Sequence, residues 1–517
     1  MNSQTARRPD NQRSTRNAKA KKYVRQTAHV EARRDGKPLI FGWGGHLSRS
    51  EKMRLQRRAI WFTTSLVAIL IVAVLVFFWL NINVITPNLP ITTVNGQGIP
   101  QSDFRKMVAV KAQIQLNAIN GPKGLNAQST DLKTQIDAQQ KIVDDTTKKI
   151  TSLNTQIKAL HSDQSAQRAT LNSELATTKT QFSAAQTKHD ALALQYQDLT
   201  QNQLAQAKQL YTQPQVGNDS VDWLQQDALI RQWLTKQNSG IQTKIEPSSS
   251  AINIAVRDFT TNLPKSTSYN KFLNDDRLSD SDVHAMLAVK LRLDNMQTYR
   301  ASLVHSPTYQ VQARAMTIAT SRDAANVLQQ LKKGADFAKL AKQKSVDTNT
   351  NTKGGDLGWM ARGQYTLNAS QKASGVIDNW LFDPARKINE LSPVLSENGT
   401  SHIVQIMAID PSRSVDAQTL QSLKDNALII WVLSQKALPG SKVTDANQDM
   451  LSNTDNMPPG LPASAPSSGS GLPGGGLPGG GLPGGGLPGG GLPGGGLPSG
   501  STGLPAGASG SGGATQP

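Results

Sequence analysis

The residues able to do chemistry are few, and their types set narrow limits. The chain of 517 residues contains no cysteine, which removes disulfides, zinc–thiolate sites, iron–sulfur clusters and thiol nucleophiles together. Its seven histidines stand at 29, 46, 161, 189, 284, 305 and 402, and none forms a ligand-spaced pair. No metal site and no cofactor are expected. The stretch Gly354-Gly355-Asp356-Leu357-Gly358 reads as a turn; it lacks the strand–GxGxxG–helix setting in which backbone N–H groups cradle phosphate. Hydrolase, transferase and redox chemistry find no nucleophile–base constellation or nucleotide motif.

The elements around these residues alternate between strand and helix signals. Tyr309–Ile318 alternates as a strand, and Ser321–Lys333 is a helix stopped by Gly334 at the position after its C-cap. Phe337–Lys344 predicts a second helix, 354–363 a loop, and His402–Ile409 (HIVQIMAI) a closing strand. Residues 416–437 predict one further helix, with Leu420, Leu423, Ala427, Ile430 and Trp431 on its apolar face.

Upstream the chain is helical. Residues 82–124 open with a short extended piece and continue as a helix with Ser102 as its N-cap. From Leu125 to Gln213 there are 89 residues without Gly or Pro, and Ile136, Val143, Ile150 and Ile157 recur every seven. After a polar interval at 161–170 the stripe resumes shifted, through Leu175, Phe182, His189 and Tyr196. Two phases fit a helical hairpin or one long coil with a stutter; the hairpin lets one chain bury both seams. In 214–304, Trp223–Trp233 and Ser279–Arg300 form amphipathic helices, the second capped by Ser279 with Asp282 three residues on and burying Val283, Met286, Leu287, Val289 and Leu291.

Ala59–Leu80 is a run of 22 residues without a charge, roughly 33 Å as a helix and long enough to span the hydrocarbon core. Trp61 and Trp79 lie near its ends, and Lys52, Arg54, Arg57 and Arg58 precede it, while the next charge is Asp103. The positive-inside rule places the N-terminus in the cytoplasm and the bulk outside. The apolar run is too long, and its 58-residue lead too extended, for a cleaved signal peptide. Residues 1–58 hold 16 Lys/Arg and 4 Asp/Glu, so +12 of the total +18 sits in this tail. Without aromatic interleaving or a nucleic-acid fold signature, no nucleic acid is expected, and anionic lipid is the expected partner. Beyond 457 the LPGGG unit repeats from Leu472 to Gly496; glycine entropy and lone leucines predict a disordered tail.

The segments GADFAKLAKQKSVD (334–347), GGDLGWMARGQ (354–364), NELSPV (389–394) and NGTSHIVQI (398–406) resemble the parvulin family of peptidyl-prolyl isomerases in order and approximate spacing. VNGQGIPQSDF and LSDSDVHAMLAVKLRLDNM resemble the helical chaperone region of SurA-like and PrsA-like foldases. The resemblance implies an α+β chain. A parvulin domain at 305–411, a small antiparallel sheet wrapped by helices, follows an all-α domain at 82–124 and 214–304 with a coiled-coil insertion at 125–213. A transmembrane helix at 59–81 precedes them, and a C-terminal extension at 412–457 leads into the tail at 458–517.

The same resemblance implies the site. Asp347 falls where parvulins place a Cys or Asp beside the imide, His402 matches the second histidine of the family's pair, and Ser396 the hydroxyl near it. Leu357, Tyr365 and Phe382 fall at proline-pocket positions, and Asn398 at a neighbouring polar one. The family usually reads Arg-His-hydrophobic on the first strand; here Arg314 is followed by Ala315, so the first histidine is absent and reduced turnover is expected. The implied activity is peptidyl-prolyl cis–trans isomerisation on unfolded or Pro-containing exported polypeptides. The alternatives are a non-catalytic binding module of parvulin fold, which Ala315 favours, and a structural envelope-spanning protein, which the long coil favours. Self-association through the coil is a further expectation.

Overall fold

A computed structural model describes residues 48–368, 375–397 and 399–464. The basic tail up to residue 47, Asn398 and the Gly/Pro-rich repeat lie outside the described residues. The chain divides after Asn81.

In the first unit, α1 (Arg49–Leu80) is an uninterrupted helix whose apolar side chains, from Trp61 and Phe62 to Phe78 and Trp79, are exposed along its length. Among the described residues it is the helix long and apolar enough to cross a membrane.

The second unit begins with the hairpin β1 (Pro90–Val94) and β2 (Gln97–Pro100), paired antiparallel. Then comes α2 (Gln101–Asn120), whose Phe104, Met107, Val108 and Val110 are buried. Its N-cap is Pro100, without a side-chain cap, so Ser102 lies inside the helix rather than capping it. α3 (Leu125–Ala159) and α4 (Ser165–Gln197) fold back on each other as an antiparallel hairpin. Its turn is closed by Arg168, which donates to the Leu160 carbonyl at 2.8 Å, and by Gln164, whose amide oxygen accepts from the His161 N–H at 2.9 Å. The seam is thin: Gln139 and Leu153 on α3, and Thr178 and Ala185 on α4, are its fully buried side chains. Lys149 and Glu174 bridge the helices at 2.8 Å, an exposed pair contributing roughly 0–1 kcal/mol.

The helical body is closed by α5 (Gln213–Leu234) and α6 (Asp280–Ser302), with shorter helices between. α6 starts in a capping box of Ser279 and Asp282. Its buried row is Val283, Met286, Leu287, Val289, Leu293 and Met296, so Leu293 takes the place expected of Leu291. Inside the body, Lys111 pairs with Asp219 at 3.1 Å and lies 3.8 Å above the Trp223 ring.

A four-stranded antiparallel sheet follows. Its strands are β3 (Thr308–Ile318), β4 (Asp356–Ala361), β5 (Leu395–Glu397) and β6 (Thr400–Arg413), in the order β4-β3-β6-β5. The helices α7 (Ser321–Lys332) and α8 (Phe337–Lys344) cover one face, packing Val327, Leu331, Phe337 and Leu340 on Met316, Ile318 and Ile403. Gly334 ends α7 with φ +92°. On the other face lie the short helices α9 (Gln364–Asn368) and α10 (Val376–Leu381). Finally α11 (Ala427–Lys436) is wedged between the two parts. Its Trp431 and Val432 join the helical core. Its Ser434 carbonyl accepts from the Asn379 side chain at 2.9 Å.

Candidate active site

The sheet face opposite α7 and α8 is built by alternation. Strands place successive side chains on opposite faces, and the β3–β6 register sets Ala313 opposite Ile406, Ala315 opposite Val404 and Thr317 opposite His402. Val311, Ala313, Ala315, Val404 and Ile406 form one cluster with Met360, Ile377, Trp380, Leu381 and Phe382, and Leu357 and Tyr365 pack against it half-buried. Three of the expected pocket residues, Leu357, Tyr365 and Phe382, therefore meet on one apolar surface. The Phe382 ring stands edge-on to Tyr309, centroids 6.1 Å apart, and the Arg362 guanidinium lies 5.8 Å from its centroid.

His402 continues this row toward the sheet end and is buried. Its Nδ1 lies 3.1 Å from the Thr317 hydroxyl and its Nε2 3.2 Å from the Thr400 hydroxyl. Burial holds the imidazole below its ordinary pKa, partly offset by the negative charge of Asp347. The charge of Asp347 acts on the ring because the segment after α8 is stitched to β3. Thr317 donates its N–H to the Ser345 hydroxyl at 3.1 Å, and Val346 donates to the Thr317 carbonyl at 2.8 Å. The Asp347 carboxylate also orders the loop beyond, accepting the Asn349 N–H at 3.0 Å and the Thr350 hydroxyl at 2.5 Å.

The loop into β4 needs glycine. Gly355 has φ +79°, and a Cβ there would sit 2.3 Å from the Ala315 carbonyl oxygen. The Gly355 carbonyl accepts the Ala315 N–H at 2.8 Å. The loop is thus pinned against β3 at Ala315.

Ser396 is exposed on β5 opposite Ser401, and the hydroxyls on the His402 ring belong to Thr317 and Thr400 instead. Asn398 lies outside the described residues.

Other residues of the site escaped the sequence reading. Asp378, buried on α10, accepts the N–H groups of Gly363 at 3.0 Å and Thr366 at 2.9 Å, together with the Thr366 hydroxyl. Burial pushes its pKa up against these hydrogen bonds. Glu397, at the end of β5, is pushed up to about 7 by burial, with the charge of Asp378 adding and a hydrogen bond from the Val376 backbone opposing. Burial also raises the Tyr365 phenol, and the charges of Asp347, Glu397 and Asp378 add to that. Thr317 carried a readable signal: period-2 alternation from Ala315 sets it on the same face. Asp378 carried none, since its partners are backbone groups that only the folded loop brings together.

Residues 294–409 match the family model described as a PPIC-type PPIase domain. The foldase protein PrsA of Exiguobacterium sibiricum is 44% identical over 97 residues, 19% of this chain and 29% of that one. The chaperone SurA of Methylobacillus flagellatus is 35% identical over 128 residues, 25% of this chain and 24% of that one. The chain spans under a third of the length of these curated relatives. The structure of PrsA from Bacillus anthracis is 20% identical, covering 41% of this chain and 89% of that one with a TM-score of 0.21. Residues 294–409 are a PPIC-type, parvulin-like peptidyl-prolyl isomerase domain, carried by a chain similar to SurA- and PrsA-type foldases.

Proposed function

We propose that this chain is a membrane-anchored peptidyl-prolyl cis–trans isomerase and folding chaperone acting on exported polypeptides. The observation that carries the reading is the meeting of Leu357, Tyr365 and Phe382 on one apolar face, with His402 next in the row and the charge of Asp347 acting on it. Rotation about an X–Pro bond is opposed by amide resonance, a barrier of roughly 20 kcal/mol. The planar imide is polar, with negative charge on oxygen and positive on nitrogen; twisting removes that separation. An apolar pocket for the proline ring disfavours the planar form, and a carboxylate near the carbonyl oxygen disfavours it further. Asp347 supplies the charge, and Leu357, Tyr365 and Phe382 the dry surface. From the resemblance alone, Ser396 is proposed as a further catalytic-site hydroxyl and Asn398 as a substrate-binding polar residue.

The test is a protease-coupled exchange assay on X–Pro peptides, using the full chain in detergent and its Asp347→Ala variant. Acceleration that collapses in the variant supports the reading. No acceleration at high protein concentration, with unfolded-protein binding retained, replaces it with a second reading, a binding module of parvulin fold. Ala315 favours that second reading, since it removes one polar group from beneath the site.

The same proposal places the N-terminus in the cytoplasm with residues 1–58 on anionic lipid. The α3–α4 hairpin is the surface through which copies would associate.

A further inference from the structure

We propose that Thr317 and Thr400 are positioning residues that lock His402 as the neutral imidazole protonated on Nε2. This inference rests on the isomerase reading of the same site. The chain of hydrogen bonds has one fixed end. The Thr400 hydroxyl lies 2.9 Å from the Glu397 backbone carbonyl, an acceptor without a proton, so Thr400 must donate there. Its single proton is then spent, and toward His402 it can only accept. At 3.2 Å the donor has to be Nε2–H. A neutral imidazole carries one proton, so Nδ1 is the acceptor, and the Thr317 hydroxyl at 3.1 Å donates to it. The polarity runs Thr317 to His402 to Thr400 to Glu397, each proton assigned.

The arrangement answers the loss of the first family histidine. Ala315 leaves His402 without an imidazole partner on β3, and the residue directly opposite His402 on that strand, Thr317, supplies a hydroxyl instead. From β3 and β6 the ring meets these hydroxyls; from the segment after α8 it feels the charge of Asp347 without a hydrogen bond to it. A ring held neutral leaves the field of Asp347 uncancelled at the imide, whereas an imidazolium there would neutralise it. The two threonines therefore act on turnover through His402, without touching substrate.

The test reads the ring itself. Full-length protein in detergent micelles, ring-15N-labelled at histidine, is examined by long-range 1H–15N correlation, with the His402 signals assigned by their loss in His402→Gln. The expected pattern is a pyrrole-like Nε2 and a pyridine-like Nδ1. Thr400→Val removes the acceptor and moves the proton to Nδ1. Thr317→Val keeps the proton on Nε2 but leaves Nδ1 without its donor in the field of Asp347, so the ring protonates at higher pH; Thr317→Ser restores the original midpoint. Thr317→Val also lowers kcat about tenfold at unchanged KM. A wild-type ring protonated on Nδ1 or averaging between tautomers, or a Thr400→Val spectrum like the wild type, overturns the inference, as does a Thr317→Val midpoint or kcat equal to wild type. The spectrum reports on the ring whether or not X–Pro bonds turn over, so it separates failure of this inference from failure of the isomerase reading.

Discussion

Asp378 accepts the backbone N–H of Thr366, at 2.9 Å, and the Thr366 hydroxyl on the same carboxylate oxygen. Its other oxygen takes the Gly363 N–H at 3.0 Å. One buried carboxylate therefore closes the first turn of α9, the turn that carries Tyr365 against the apolar cluster. Replacing Asp378 by Asn keeps the shape but turns an N–H donor toward another N–H donor. The variant is expected to lose roughly 2–3 kcal/mol, read by urea denaturation, together with affinity for X–Pro peptides. Thr366→Val, which removes only the hydroxyl, is expected to lose about 1 kcal/mol. Equal stability of Asp378→Asn and wild type would show that the loop is held by packing alone.

Gly355 makes a second prediction at the opposite edge of the cleft. At φ +79°, with a Cβ set to fall 2.3 Å from the Ala315 carbonyl oxygen, alanine combines a strained backbone with a clash against an atom that cannot rotate away. Gly355→Ala should destabilise the domain by about 2 kcal/mol or more. By contrast Gly399→Ala, with φ +79° but open space around its Cβ, should lose only about 1 kcal/mol. Thermal unfolding of both variants separates clash from backbone strain.

How much of this was legible depends on where the information lies. The bounds of β3, α7 and α8 follow from alternation, helical period and the Gly334 stop, all local signals, and the structure has them within a residue. The single helix expected over 416–437 is instead two, Ala417–Asp425 and Ala427–Lys436. The break is made from outside. Gln297 on α6 donates its side-chain amide to the Lys424 carbonyl at 2.7 Å, and its amide oxygen accepts the Leu428 N–H at 2.7 Å. A residue more than 120 positions away cannot be read from the periodicity of the segment it interrupts. The site divides the same way. The apolar trio Leu357, Tyr365 and Phe382, named from the resemblance, shares one cluster, whereas the Asp378 carboxylate and the Thr400–Glu397 contact depend on loop backbone that no side-chain pattern encodes.

The α3–α4 hairpin should be the least protected helical part of the described second unit. Its fully buried side chains are Gln139, Leu153, Thr178 and Ala185, two of them polar. α2, by comparison, buries Phe104, Met107, Val108 and Val110 in the common core. Local opening follows buried apolar contact. Native-state hydrogen exchange is therefore expected to label the middle of α3 and α4 well before α2, β3 or β6, and Leu153→Ala to speed exchange in the hairpin without altering β3. Exchange in the hairpin as slow as in β3 would mean that a second copy covers it.

Glu397 and His402 should pull stability in opposite directions with pH. The Glu397 carboxyl, at about 7 in the fold against an ordinary 4.5, keeps a proton that the unfolded chain releases between those values. Its contribution is fully present below the unfolded pKa and is lost as pH rises toward 7. His402 is held below its ordinary 6.5; the unfolded chain takes up a proton there first, so this contribution is lost as pH falls below 6.5. Glu397→Gln removes the first effect and leaves the second. Urea midpoints taken from about pH 5 to about pH 8 should then show a wild-type minus variant difference that shrinks as pH rises and levels off above 7. Other buried acids, such as Asp276 at about 6, are common to both proteins and cancel in that difference. A pH-independent difference would mean that Glu397 is already ionised in the fold throughout that range, with its charge satisfied by the Val376 backbone.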